Sequence, residues 1–152
     1  MFQEPEAMRP LSGGIGVVRE FGGTARTRRV TAPRVLVCDR ETGPLERLLA
    51  PTSAAVVTCD SLEQALREST RQPFDVAFVG MHEHSNASVG LLQLLRRTMP
   101  RTPLVLMLED PSPAARLATL AVRPFYVAVP PVADEEFRAV MTDALAAARR
   151  QN

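Results

Sequence analysis

The chain contains no lysine, so all 18 of its basic residues are arginine. That excludes any mechanism built on a primary-amine side chain. Charge of one sign is also missing: 18 basic residues stand against 17 acidic ones, a net charge of +1. Such a balance gives no electrostatic reason to expect nucleic acid or an anionic membrane as partner. There are two cysteines, Cys38 and Cys59, too few for a disulfide framework and at a spacing that fits no zinc motif. They are expected to be buried thiols. No apolar run approaches the ~18 residues of a membrane span. The first residues, MFQEPEAMRPLSGG, lack the apolar core of a signal peptide. A cytoplasmic protein is the expectation.

The 152 residues are enough for one domain with a core, and 45% of them are hydrophobic. Residues 1–32 differ from the rest. They hold Gly13, Gly14, Gly16, Gly22 and Gly23, five of the eight glycines, with Arg19, Arg26, Arg28 and Arg29. No period there lasts long enough to bury a face, so a flexible Gly/Arg-rich tail is expected. Arg28-Arg29-Val30-Thr31 also fits a basophilic kinase site at Thr31, against the simpler reading of a basic linker.

From residue 33 to 152 strand and helix signals alternate. The apolar runs 34–38, 54–59, 74–79, 103–108 and 125–129 read as strands. Helices are expected at 42–49, from Ser61 to about Arg71, at 88–97, from Ser112-Pro113 to near Ala121, and at 134–150. Ser61-Leu-Glu-Gln64 has the spacing of a capping box. In the last helix Phe137, Val140, Met141, Ala144 and Ala148 recur at i, i+3, i+4. Its Asp134, Glu135 and Glu136 suit the positive end of the helix dipole, and Arg149 and Arg150 the negative end. Continuous apolar strands between helices indicate an α/β fold: a (βα)5 doubly wound, five-stranded parallel sheet. Function in such sheets lies outside the carboxyl ends of the strands. The positions concerned are 39–41, 59–60, 80–81, 109–110 and 130–131.

With "VLVCDRE" at the first strand, "TCDSLEQAL", "PFDVAFVGM", "TPLVLML" and "FYVAVPP" followed by "DEEF", residues 34 to about 148 resemble the receiver domain of bacterial response regulators. The resemblance implies a flavodoxin-like fold and a phosphorylation site at the strand ends. In that family two acids bind magnesium, an aspartate accepts the phosphoryl group, and a Thr or Ser and a Lys-Pro pair complete the site. Here Asp39 matches the first acid but Arg40 stands for the second. Gly80 takes the phosphoacceptor position and Glu109 the hydroxyl position. The lysine falls on Val129 or Pro130. Phosphoryl transfer to a carboxylate needs these groups, so the expectation is a degenerate pseudo-receiver with no cofactor and no catalysis.

Arg40 has two readings: its guanidinium pairs with Asp39 or Glu109 and fills the vestigial pocket with a fixed charge, or it points to solvent. Glu109 has a second reading, as mimic of a bound phosphoryl group. His82 and His84, with Asp39 and Glu109, define a rival reading as a metal-binding or enzymatic flavodoxin-like protein; with no further ligand evident, a solvated loop is expected instead. Another rival is an atypical phosphorylation-responsive receiver using some other acid. Tyr126, Arg116 and Arg123 mark a candidate partner surface. The chain ends one helix after the fifth strand, so no output domain is expected. Function is expected through contact with another signalling protein (a kinase, a regulator, or a polarity or motility component), with homodimerisation possible.

Overall fold

The computed structural model describes residues 16–22, 24–30, 32–82, 86–109 and 112–151. The chain divides into two units, Met1–Ala32 and Pro33–Asn152. In the first, strands β1 (Gly16–Gly22) and β2 (Thr24–Val30) pair antiparallel, from Gly16 with Val30 to Gly22 with Thr24. This corrects the expectation of a tail without regular structure. The β-branched and aromatic residues of GVVREFG and TARTRRV favour strand. Thr31 lies outside the described residues.

In the second unit the order is β3 (Arg34–Cys38), α1 (Gly43–Leu49), β4 (Ala55–Cys59), α2 (Leu62–Arg71), β5 (Val76–Met81), α3 (Asn86–Thr98), β6 (Leu104–Leu108), α4 (Pro113–Val122), β7 (Tyr126–Ala128) and α5 (Asp134–Gln151). The five strands form one parallel sheet in the order β4-β3-β5-β6-β7. This is the doubly wound (βα)5 sheet expected from the alternation.

Alternate residues of each strand sort onto opposite faces. Leu36, Ala77, Val79 and Leu106 pack with Ala65, Leu92, Leu95, Ala115 and Val122 of α2, α3 and α4. Val35, Val37, Phe78 and Met107 pack on the other face with Leu45 and Leu49 of α1 and Phe137, Val140 and Ala144 of α5. The rings of Phe78 and Phe137 stack at 5.4 Å, joining the central strand to the last helix. Full burial of each such side chain is worth about 1.5–3 kcal/mol, so the two apolar layers dominate stability.

Local signals place the ends. Ser61 Oγ accepts from Gln64 N–H at 3.2 Å. The Gln64 side chain, however, accepts from Asp60 N–H at 3.0 Å rather than from Ser61, one residue off the capping-box pairing. Ser112 caps α4 by accepting from Ala115 N–H, with Pro113 in the first turn. At its other end α4 stops at Arg123, whose φ of 47° lies in the left-handed region. A residue with a Cβ spends roughly 1–2 kcal/mol there.

One strand differs from expectation in a way that bears on function. β5 does not stop at Val79 but continues to Met81, pairing Gly80 with Met107 and Met81 with Leu108. Met81 is buried and holds those two residues in the sheet. The next residue, His82, therefore leaves directly from the strand end rather than from a loop.

Candidate functional site

The strand order reverses at β3, which has β4 on one side and β5 on the other. The crevice outside the carboxyl ends of β3, β5 and β6 receives Asp39, His82 and Glu109, each the first residue after its strand.

These three residues form one cluster. His82 Nε2 lies 2.5 Å from Asp39 Oδ1, and His82 Nδ1 lies 3.2 Å from Glu109 Oε1. The second oxygen contact of the cluster is local: the Arg40 backbone N–H donates to Asp39 Oδ1 at 2.7 Å. Asp39 and His82 are largely covered, with side chains 15% and 21% exposed, whereas Glu109 is 65% exposed. A carboxylate is an acceptor, and neutral imidazole has a single N–H. Donation to both acids at once therefore requires the protonated ring. Burial works against that charge, but the hydrogen bonds to Asp39 and Glu109 and the charge of Asp39 outweigh it; the Arg40 charge opposes them. The net result is a His82 pKa raised from its usual value.

Gly80 explains how this cluster fits. A Cβ built on Gly80 would meet the Oδ1, Oδ2 and Cγ atoms of Asp39 at less than 3.0 Å, an approach real Cβ atoms essentially never make. The Asp39 carboxylate fills the space a side chain at residue 80 would need. A side chain at this position would thus force the Asp39 carboxylate to move.

Of the two readings of Arg40, the solvent-facing side chain is the one found. Arg40 is exposed, and among the described residues Asp39 and Glu109 pair with His82 rather than with the guanidinium. His82 is not the solvated loop residue expected. His84 lies outside the described residues. Among the described residues no group of three or more His, Cys, Asp or Glu side chains is disposed to hold a metal ion. The magnesium implied by the receiver resemblance does not fit: Asp39 Oδ1 is engaged by His82 and the Arg40 N–H, the His82 ring lies between the two acids, and Arg40 stands where a second acid would be. Metal-assisted chemistry derives no step from these residues.

Val129 and Pro130 follow β7 and are exposed, and the Pro130-Pro131 peptide is cis. Tyr126 opens β7 and packs with the α1/α5 layer, its hydroxyl donating to Glu136 Oε2 at 2.5 Å. That bond comes first, then burial, then the Glu136 charge, in raising the Tyr126 pKa. Arg116 is exposed on α4, which covers the other face of the sheet. Arg123 caps that helix. The structure therefore sets Tyr126 and the two arginines on opposite sides of the β7 edge. Cys38 and Cys59 are cross-strand neighbours and buried, as expected. Burial, the largest cause, pushes their thiols up to about 12 and about 11.

Two polar features escaped the sequence reading. Glu136 was visible only as a first-turn acid. Arg96 is half-buried and donates to four carbonyls: Val122, Met99, Thr102 and Arg123. Neither has a local signature: Glu136 meets Tyr126 ten residues away, and Arg96 joins the nearby Met99 and Thr102 carbonyls to those of Val122 and Arg123, 26 and 27 residues away.

The geometry defines a doubly wound (βα)5 protein with a polar cluster at its topological switch point. Solved structures narrow the fold to that of signal receiver domains. Similar structures include the signal receiver domain of an HD domain-containing protein from Pseudomonas fluorescens Pf-5, at 19% identity and TM-score 0.71 over 78% of this chain and 98% of that one. A CheY-like response regulator receiver domain protein from Methanospirillum hungatei JF-1 is 14% identical, with TM-score 0.72 over 80% and 100%. A putative pilus assembly-related protein from Burkholderia pseudomallei K96243 is 17% identical, with TM-score 0.65 over 76% and 90%. At such identities the likeness is one of fold. No family model and no curated protein matches the sequence. No helix among the described residues is long and apolar enough to cross a membrane.

Proposed function

We propose that the second unit is a pseudo-receiver: a non-catalytic module of bacterial signal transduction that is not phosphorylated at the usual strand-end position and acts by binding another protein. The receiver fold supports the signalling part of this reading. The observation that carries the rest is the Asp39 carboxylate packed against Gly80 and bonded to His82. It removes the nucleophile, occupies the space a nucleophile would need, and supplies an internal cation where a divalent ion would sit. Glu109 serves as an anchor for that cation rather than as mimic of a phosphoryl group.

With no reaction to perform, the module works through its surfaces. The partner is a signalling protein, whether a kinase, a regulator, or a polarity or motility component; a second copy joined through α4 and α5 is the homodimeric variant. A structural neighbour described as pilus assembly-related is in keeping with the motility class. The protein acts on the cytoplasmic side, where such partners reside.

The test is exposure of the full chain to acetyl phosphate, and separately to beryllofluoride, each with magnesium. Intact mass should stay constant, and the amide resonances of residues 39, 80 and 109 should show no saturable shift. A phosphoryl adduct on any acid of the crevice would overturn the reading.

A further inference from the structure

A second polar site lies at the other end of the sheet. The chain turns into β6 at Pro103 and into β7 at Phe125, at the amino ends of the strands. The cluster of Asp39, His82 and Glu109 follows the carboxyl ends. One five-residue strand, roughly 17 Å, separates the two. Here an open cavity of about 200 Å³ is lined by three arginines, Arg96, Arg101 and Arg123. Among the described residues no carboxylate lines it, and neither Arg101 nor Arg123 forms an ion pair.

The roles of the three differ. Arg96 is committed: four of its five N–H groups serve the carbonyls of Val122, Met99, Thr102 and Arg123. These carbonyls belong to the ends of α3 and α4 and the turns after them. Capping them removes the negative ends that would repel an anion. Arg101 and Arg123 keep their guanidinium forks and are exposed.

Both free arginines stand on constrained backbone. Arg101 follows Pro100, and the next residue, Thr102, is tied through its hydroxyl to the Phe74 carbonyl at 3.1 Å before Pro103. Arg123 is held in the left-handed conformation, its N–H bonded to Thr119 O and its carbonyl to Arg96, and Pro124 follows. Glycine is the residue that suits such a cap. An arginine there keeps a charge at the cavity in spite of the strain, and burial followed by the Arg123 charge acts against the Arg96 guanidinium. Like charges crowd a space that is lined by no carboxylate side chain among the described residues. Phe125, 40% exposed, adds a flat apolar wall.

We propose that this cavity binds a phosphate monoester, its dianionic group gripped by the forks of Arg101 and Arg123 and its organic body resting on Phe125. Guanidinium pairs match phosphate oxygens in geometry as well as charge. The constrained backbone reduces the ordering cost of binding. The site is independent of the strand-end cluster, so it stands or falls apart from the pseudo-receiver reading.

The test titrates the full chain at low salt with inorganic phosphate and, separately, with adenosine monophosphate, following the arginine Nε–Hε resonances. Saturable shifts at Arg101 and Arg123 are expected with both, with adenosine monophosphate the tighter. Phe125→Ala should reduce the nucleotide to the affinity of inorganic phosphate. Arg123→Gly suits the left-handed backbone, so its thermal midpoint should hold or rise while both affinities fall about tenfold or more. Arg116→Gln, on α4 outside the cavity, should leave binding unchanged. Absence of saturable shifts with either probe, or wild-type affinity in Arg123→Gly, would overturn the site. Equal affinity for the two probes would overturn the role of Phe125.

Discussion

The carboxylate of Asp39 occupies the volume that a side chain at position 80 would need, and it is held there by the ring of His82. Residues from two neighbouring strands thus specify each other: glycine at 80 is the condition for Asp39 to lie inward, and His82 gives it a partner once there.

Gly80→Ala tests this relationship. The added methyl forces Asp39 to turn away, at the cost of its bonds to His82 and to the Arg40 N–H. Urea unfolding should show a loss of about 1–3 kcal/mol, the usual range for an overpacked position. In an Asp39→Ala background the same substitution should cost clearly less. Additive effects in that double-mutant cycle would show that the two positions do not compete for space.

The His82 cluster makes stability depend on pH. A histidine whose folded-state pKa is raised contributes stability that is complete below its unfolded value, about 6.5, and is lost as pH rises through the folded-state value. The urea midpoint of the wild-type chain should therefore fall from mildly acidic to alkaline pH by more than that of His82→Gln. Asp39→Asn should lower the His82 pKa measured by ring-proton NMR. An unchanged titration in that variant would dissolve the cluster as described.

Tyr126 offers a reading without labels, since the chain has one tyrosine and no tryptophan. Its hydroxyl donates to Glu136, which raises the phenol pKa. Glu136→Gln removes the charge that opposes phenolate, so the ultraviolet titration of the single tyrosine should move to lower pH. Glu135→Gln, the neighbouring exposed acid, should leave it in place.

Arg96 joins the ends of two helices to the turns that follow them. Replacement by methionine keeps apolar bulk but removes the donor from four carbonyl acceptors. A loss of about 2–3 kcal/mol is expected by urea unfolding. Lysine, a point charge without the planar fork, should recover only part of it.

The layered sheet was legible in the sequence because each of its elements carries a local signal. Unbroken runs such as Val35–Val37 and Leu104–Leu108 mark buried strands, and Ser61 and Ser112 announce helix starts. The candidate site was only half legible. Asp39, Gly80 and Glu109 could be placed at strand ends, but His82 was grouped with the two acids only in the rival metal-binding reading and was otherwise expected in a solvated loop. His82 reaches a residue 43 positions away, and a polar triplet after a glycine reads as a loop until Met81 is seen to be buried in the strand. Arg40 was the nearer charge in sequence, yet its side chain is exposed. The hairpin of β1 and β2 was missed because its glycines and arginines leave no apolar period; cross-strand pairing alone reveals it. Arg123 carries no mark of its left-handed backbone, since glycine or asparagine is the usual sign.

The imidazole between Asp39 and Glu109 has a temporal consequence. An acyl phosphate is installed by one reaction and decays by another, so it carries a clock. A histidine ring is part of the chain and cannot be hydrolysed away. Its arrangement lasts as long as the folded molecule does and resets only with the exchange of a proton. Under the pseudo-receiver reading proposed above, whatever surface this cluster supports is present from the moment of folding, and its output would scale with how many copies of the chain exist.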